Sequence, residues 1–81
     1  MEVYVDPLDQ NQFFVNMEGC NPEQWVELRI INVIDRQVFA QSYSPTEAQN
    51  IHLDFSMLPH GMYLIEVKQG ECERVRRILY Q

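Results

Sequence analysis

Between Ile51 and Val67 the chain alternates apolar and polar side chains twice, with one abrupt interruption. Ile51, Leu53 and Phe55 alternate with His52 and Asp54, the period of two that marks a strand with one buried face. Tyr63, Ile65 and Val67 repeat the pattern after Ser56-Met57-Leu58-Pro59-His60-Gly61. Pro59 brings a fixed φ and no N–H, and Gly61 can adopt the positive φ that a sharp corner needs. The stretch therefore reads as strand, corner, strand.

The same periodicity along the rest of the chain predicts seven strands, near 3–5, 12–18, 25–33, 37–43, 49–54, 62–68 and 73–80. Turn residues separate them. Asp6-Pro7-Leu8-Asp9-Gln10-Asn11 and Glu18-Gly19-Cys20-Asn21-Pro22 supply the first two breaks, Ser44-Pro45-Thr46-Glu47 a later one, and Gln69-Gly70-Glu71 the last hairpin. Thr46-Glu47-Ala48-Gln49 also suits a single helical turn. Short strands at this spacing predict an all-β fold, a seven-stranded antiparallel immunoglobulin-like β-sandwich. In that fold Tyr63 stands where a corner tyrosine often bonds back to the backbone just upstream. Val26, Leu28 and Ile30 are expected to face the core, as are Val38, Ala40, Ile51, Leu53, Tyr63, Ile65 and Val67. Val33-Ile34 beside a turn leaves the register of its hairpin open.

At 81 residues the chain is one domain, spanning 1–81 with a single core. A domain this small buries about 60–65% of its unfolded surface, so its stability is modest. One Trp, four Tyr and four Phe supply enough apolar bulk for packing rather than disorder. A formal net charge of −6 argues against nucleic acid as a partner, since such surfaces are normally basic. The basic residues are nevertheless concentrated. Lys68, Arg74, Arg76 and Arg77 are four of the six, all within the last fourteen positions. A basic strand on an acidic body suits a docking surface, and equally a solvated edge that discourages self-pairing.

Catalytic chemistry is not expected. Ser56, Asp54, His52 and His60 share one corner, without a strained nucleophile elbow or an evident oxyanion hole. Ser56 and Asp54 more naturally bond turn backbone. A metal site is not expected from Cys20, Cys72, His52 and His60, because no C-x-x-C or H-x-x-x-H spacing joins them. No cofactor is implied. Trp25 opens the third strand and is expected to pack at the sandwich edge; exposed beside Phe39 or Tyr43, it would instead form a platform for a protein or glycan.

The stretch from Ile51 to Val67, with Ser56-Met57-Leu58-Pro59-His60-Gly61-Met62-Tyr63 at its centre, resembles the C-terminal sorting domain of cargo carried by the type IX (Por) secretion system of Bacteroidetes. That family's pattern is apolar-x-Leu-Ser-x-Leu-Pro-x-Gly-x-Tyr. Val3-Tyr4-Val5-Asp6-Pro7, Gln12-Phe13-Phe14-Val15, Val26-Glu27-Leu28-Arg29-Ile30, Arg36-Gln37-Val38 and Arg74-Val75-Arg76-Arg77-Ile78-Leu79 extend the similarity over nearly the whole chain. The chain departs from the pattern at Val5-Asp6, at Ile34-Asp35 in place of Asn-Gly, and at its final Leu79-Tyr80-Gln81.

The resemblance implies a non-catalytic sorting signal that docks a cargo protein on the type IX outer-membrane translocon. The domain is then removed by a sortase-like cysteine peptidase. It further implies an upstream cargo domain and export signal in a longer parent. Localisation would be periplasmic in transit, then at the outer membrane or cell surface, or secreted. Pro59, Gly61 and Tyr63 would set the shape, with Pro7 a weaker match to the family's first motif. Lys68, Arg74, Arg76 and Arg77 would make the partner contacts. An oxidising compartment would permit a Cys20–Cys72 disulfide, whose two loops the strand order places at one end; two ordinary thiols are the alternative. A small immunoglobulin-like adhesion or interaction module binding a protein or glycan is the competing function. An exposed edge also allows an edge-strand dimer.

Overall fold

The computed structural model describes residues 1–18 and 20–81. Gly19, part of the second expected break, lies outside the described residues. Alternation becomes strand wherever one face can be buried, and the chain forms β1 (Glu2–Asp9), β2 (Gln12–Glu18), β3 (Val26–Asn32), β4 (Gln37–Tyr43), β5 (Ile51–Asp54), β6 (Gly61–Gln69) and β7 (Cys72–Tyr80). A 3₁₀ turn at Glu47–Gln49 precedes β5. Two antiparallel sheets result, one ordered β1-β2-β5 and the other β4-β3-β6-β7. Their inner faces meet through Val15, Ile51 and Phe55 on one side and Leu28, Ile65 and Val67 on the other, all at most 1% exposed.

Three departures from the sequence reading have local causes. First, β1 runs on through Asp6 and Pro7 to Asp9 instead of breaking after residue 5. Proline is tolerated there because β1 is an edge strand. Leu8 is the extra residue of a bulge, since Pro7 pairs with Phe13 and Asp9 with Gln12. Secondly, Ala40 faces outward, not into the core. Ile30 pairs with Phe39 but Ile31 pairs with Gln37, so Val38 is an inserted residue and the phase of β4 shifts by one. Phe39 and Tyr43 then pack against the core along with Val38, while Ala40 stands opposite Arg29 on the outer face. Thirdly, residues 49 and 50 are not in a strand. Ser44 and Glu47 cap each other reciprocally, Ser44 N–H to Glu47 Oε1 at 2.9 Å and Glu47 N–H to Ser44 Oγ at 3.3 Å, and hold a turn there.

The β3–β4 loop closes without glycine. Asp35 takes a φ of 59°, a left-handed conformation that aspartate accepts more readily than most residues. Asn32 Oδ1 accepts the N–H groups of Ile34 and Arg36 at 3.2 and 3.0 Å, which stiffens the loop. The β6–β7 hairpin is tighter. Gly70, at φ 62°, is the first of two loop residues, as a type II′ turn requires. A β-carbon there would lie 2.7 Å from Asn21 Nδ2, so the β2–β3 connection packs directly on this hairpin.

The pairings divide the loops between two ends. Gln12 opposite Asp54, Asn32 opposite Tyr63 and Gly61 opposite Tyr80 gather the β1–β2 hairpin, the β3–β4 loop, the corner and the C-terminus at one end. Glu2 opposite Glu18, and Val26 opposite both Tyr43 and Gln69, place the N-terminus and the remaining loops at the other. At that second end Cys20 is disulfide-bonded to Cys72, which opens β7 rather than lying in the hairpin loop, with Cα atoms 6.4 Å apart and a sequence separation of 52.

A loop of that length constrains the unfolded chain by about 4 kcal/mol. A domain of this size has a total stability of about 4–12 kcal/mol. Replacing Cys20 and Cys72 together by serine is expected to lower the unfolding free energy by about 3–4 kcal/mol. Urea denaturation of the oxidised parent and the double variant measures this directly. A difference under about 1 kcal/mol would show that the closed loop contributes little.

Candidate functional site

The corner between β5 and β6 carries the chain from one sheet to the other. Phe55 leads it, fully buried, with its N–H donating to Asn11 O at 2.7 Å and its carbonyl accepting from Leu58 N–H at 2.9 Å. Its ring meets Phe13, Tyr63 and Tyr80 edge-on at centroid distances of 5.0, 5.3 and 5.5 Å. Tyr63 is buried in that cluster, and its hydroxyl donates back to Pro59 O at 2.5 Å. Gly61 has a φ of 156° and open space where a β-carbon would stand, so only its backbone conformation asks for glycine. Pro59, Gly61 and Tyr63 thus form one device.

Ser56 and Asp54 are used within the same turn. Asp54 Oδ1 accepts the Ser56 N–H at 2.9 Å. That bond first, then the Ser56 hydroxyl, holds the Asp54 carboxyl below its ordinary range, with a smaller pull from His52. Glu47 is lowered in the same way by the Ser44 N–H and hydroxyl. His52 bonds Gln12 Oε1 through Nε2 at 2.8 Å and lies against Phe14, on the polar side of β5. His60 sits exposed at the corner, 4.6 Å from the Tyr80 ring. Cys20 and Cys72 are bonded to each other at the far end from His60.

The four basic residues near the C-terminus do not share one role. Arg76 points across the open side of the sandwich. Its Nε donates to Val3 O at 2.9 Å and its Nη2 pairs with Glu2 Oε2 at 3.3 Å, so it ties β7 to β1. Arg74 donates to the carbonyl of its neighbour Glu73 at 2.7 Å. Lys68 lies between Glu27 and Glu73 in the cross-strand register, and Arg77 lies opposite Leu64. Lys68, Arg74 and Arg77 are exposed. An open groove of about 880 Å³ runs over β4, β3, β6 and β7 and includes Lys68, Arg74 and Arg76 in its lining. Arg29 and Glu66 pair across it, and that bond and charge raise the Arg29 guanidinium above its already high value.

Two placements were not legible beforehand. Trp25 is 60% exposed rather than packed at the sandwich edge, because it precedes β3 and Val26 takes the buried phase. Tyr80 is 5% exposed and completes the aromatic cluster. Its alternation with Ile78 was the available signal, masked by the three arginines before it.

A family model described as secretion system C-terminal sorting domain matches residues 3–81. The chain belongs to that family. Its type IX sorting-domain resemblance therefore extends across every strand of the fold. Among curated proteins none matches this chain. Among solved structures it is similar to the crystal structure of a DUF3244 family protein from Bacteroides vulgatus with an immunoglobulin-like β-sandwich fold. The TM-score is 0.82 at 12% identity, over 98% of this chain and 83% of that one. That likeness bears on the fold alone, and agrees with the seven strands in two antiparallel sheets.

Two outcomes are expected for this site. Tyr63→Phe should lower stability by about 1 kcal/mol through loss of the Pro59 bond. Gly61→Val should cost about 1–3 kcal/mol through backbone strain. Chemical denaturation checks both, and unaltered midpoints would remove the corner from its structural role. Asp54 and Glu47 have folded-state pKa values below their ordinary 3.8 and 4.5, so the unfolded chain binds more protons between the two values. Their contribution is fully present above the ordinary values and is lost as pH falls through the folded ones. Denaturation midpoints from pH 6 down to pH 2.5 should therefore fall less steeply for the Asp54→Asn, Glu47→Gln double variant than for the parent.

Proposed function

We propose that this domain acts as a folded, non-catalytic address that docks a cargo protein on the type IX outer-membrane translocon and is then cleaved from it. The observation that carries the reading is the family match over residues 3–81, which takes in the whole sandwich. The cargo is an upstream domain of the same parent, and a sortase-like cysteine peptidase makes the cut. The path runs through the periplasm to the cell surface or medium.

A folded address suits the architecture. Both sheets are rigidly joined, by the corner at one end and the disulfide at the other, so surface residues hold fixed relative positions. Preorganisation of that kind reduces the entropy lost on docking. Lys68, Arg74 and Arg77 supply the partner contacts along β6 and β7, where long-range attraction would speed encounter with an acidic surface. Arg76 contributes by holding the β7 edge against β1, with its charge partly neutralised by Glu2.

The test joins residues 1–81 to the C-terminus of a fluorescent reporter bearing an export signal, in bacteria with and without a working type IX system. Translocon-dependent release of the reporter, shortened by the mass of the domain, is expected. Periplasmic retention of a folded fusion in both strains would overturn the reading. Lys68→Glu, Arg74→Glu and Arg77→Glu together should leave the melting temperature within a few degrees and reduce release severalfold. Normal release would exclude these three as docking contacts.

A further inference from the structure

Exposed large apolar side chains are not spread evenly over this domain. Among the described residues there are nine, and six of them stand at the corner end: Leu8, Val33, Ile34, Met57, Met62 and Leu79. Leu8 is the bulged residue beside the β1–β2 hairpin, Val33 and Ile34 form the tip of the β3–β4 loop, and Met57 is in the corner. Met62 and Leu79 face each other across β6 and β7 and continue the surface onto the outer face. The most prominent are Val33, Ile34 and Met57, at 75, 70 and 92% exposure. Apolar groups gathered at one end of a small acidic domain cost solubility, and such clusters commonly mark contact surfaces.

The loops that carry them are stiff. Asn32 braces the β3–β4 tip with two hydrogen bonds, and the corner is held by Phe55, Asp54 and Tyr63. The apolar side chains are thereby presented from fixed backbones, as anchor residues of an interface usually are. The charge around them selects the occupant. Asp35 lies in one of these loops and Asp9 and Asp54 end the strands that lead into the other two, against Arg36 alone among the lysines and arginines there. An anionic bilayer surface would repel this rim, whereas a protein socket with an apolar floor and basic edge would complement it. The N-terminus lies at the opposite end, so a preceding domain does not obstruct the approach.

We infer that this crown is the anchor by which the sorting domain seats in its receptor, an apolar socket with a basic rim on a translocon protein. The inference rests on the sorting function proposed above. The basic strand then meets an acidic surface beside that socket and speeds encounter, while the crown sets residence time.

Val33→Ser, Ile34→Ser and Met57→Ser combined in the reporter fusion provide the test, with the melting temperature of the isolated domain as a folding control. Release reduced at least tenfold with melting within about 3 °C is expected. A photo-crosslinking amino acid at position 57 should join the domain to a translocon subunit, and the same group at position 71 should not. Release within twofold of the unaltered fusion, or crosslinking from position 71 alone, would overturn the crown and leave the sorting function standing. Failure of the unaltered fusion to leave the cell would remove both. A lipid partner is tested by flotation with phosphatidylethanolamine–phosphatidylglycerol vesicles. Flotation of the parent domain that the three serines abolish would replace the protein socket with a bilayer.

Discussion

Burial of Phe55 is the constraint on which this fold turns. It is the residue at which the chain leaves one sheet for the other, and it is completely enclosed. Phe13 comes from the first sheet, while Tyr63 and Tyr80 come from the second, so the ring it fills against is assembled from both layers. Edge-on aromatic pairs add about 0.5–1.5 kcal/mol each beyond the apolar area they bury. The Tyr63 hydroxyl cannot reach solvent freely from that cluster, and the Pro59 carbonyl satisfies it. Corner geometry, sheet alignment and side-chain packing are thus one requirement.

A second requirement concerns the sides of the sandwich. Both sheets are open, which leaves β1, β4, β5 and β7 as edges. Arg76 deals with one side by spanning from β7 to the Val3 carbonyl, an unusual use of a charge on the inward phase of a strand. Its aliphatic stem can cover apolar surface while its head bonds backbone and carboxylate. A row of arginines along the β7 edge also discourages pairing with another copy of the same strand. The arginines of β7 therefore differ in their bonds, Arg76 bracing β1 while Arg74 donates to its own neighbour's carbonyl.

The two ends of the domain have different physical characters. One is closed covalently, with the β2–β3 connection packed on the Gly70 hairpin. The other is closed by aromatic packing and presents aliphatic loop tips to solvent. A sorting domain that leads with one end and follows its cargo with the other would exploit this polarity. Stiffness at both ends keeps the exposed side chains in place without a large core.

Much of the architecture was legible along the chain. Alternation at Val26 to Ile30, Ile51 to Phe55 and Tyr63 to Val67 specified buried faces, because a strand offers only two sides. Pro59, Gly61 and Tyr63 specified the corner, because each restricts or permits a particular local conformation. The positions of Cys20 and Cys72 in the strand order put them at one end. What depended on tertiary structure was of another kind. An inserted residue at Val38 reversed the phase of β4 and turned Ala40 outward, and no local preference announces a bulge in an otherwise regular strand. Arg76 was indistinguishable from Arg74 and Arg77 until β1 came within its reach. Leu8, the Val33-Ile34 pair and Met57 belong to three turns far apart along the chain. Strand pairing made them neighbours, since distances across a sheet are set by register and not by separation along the chain.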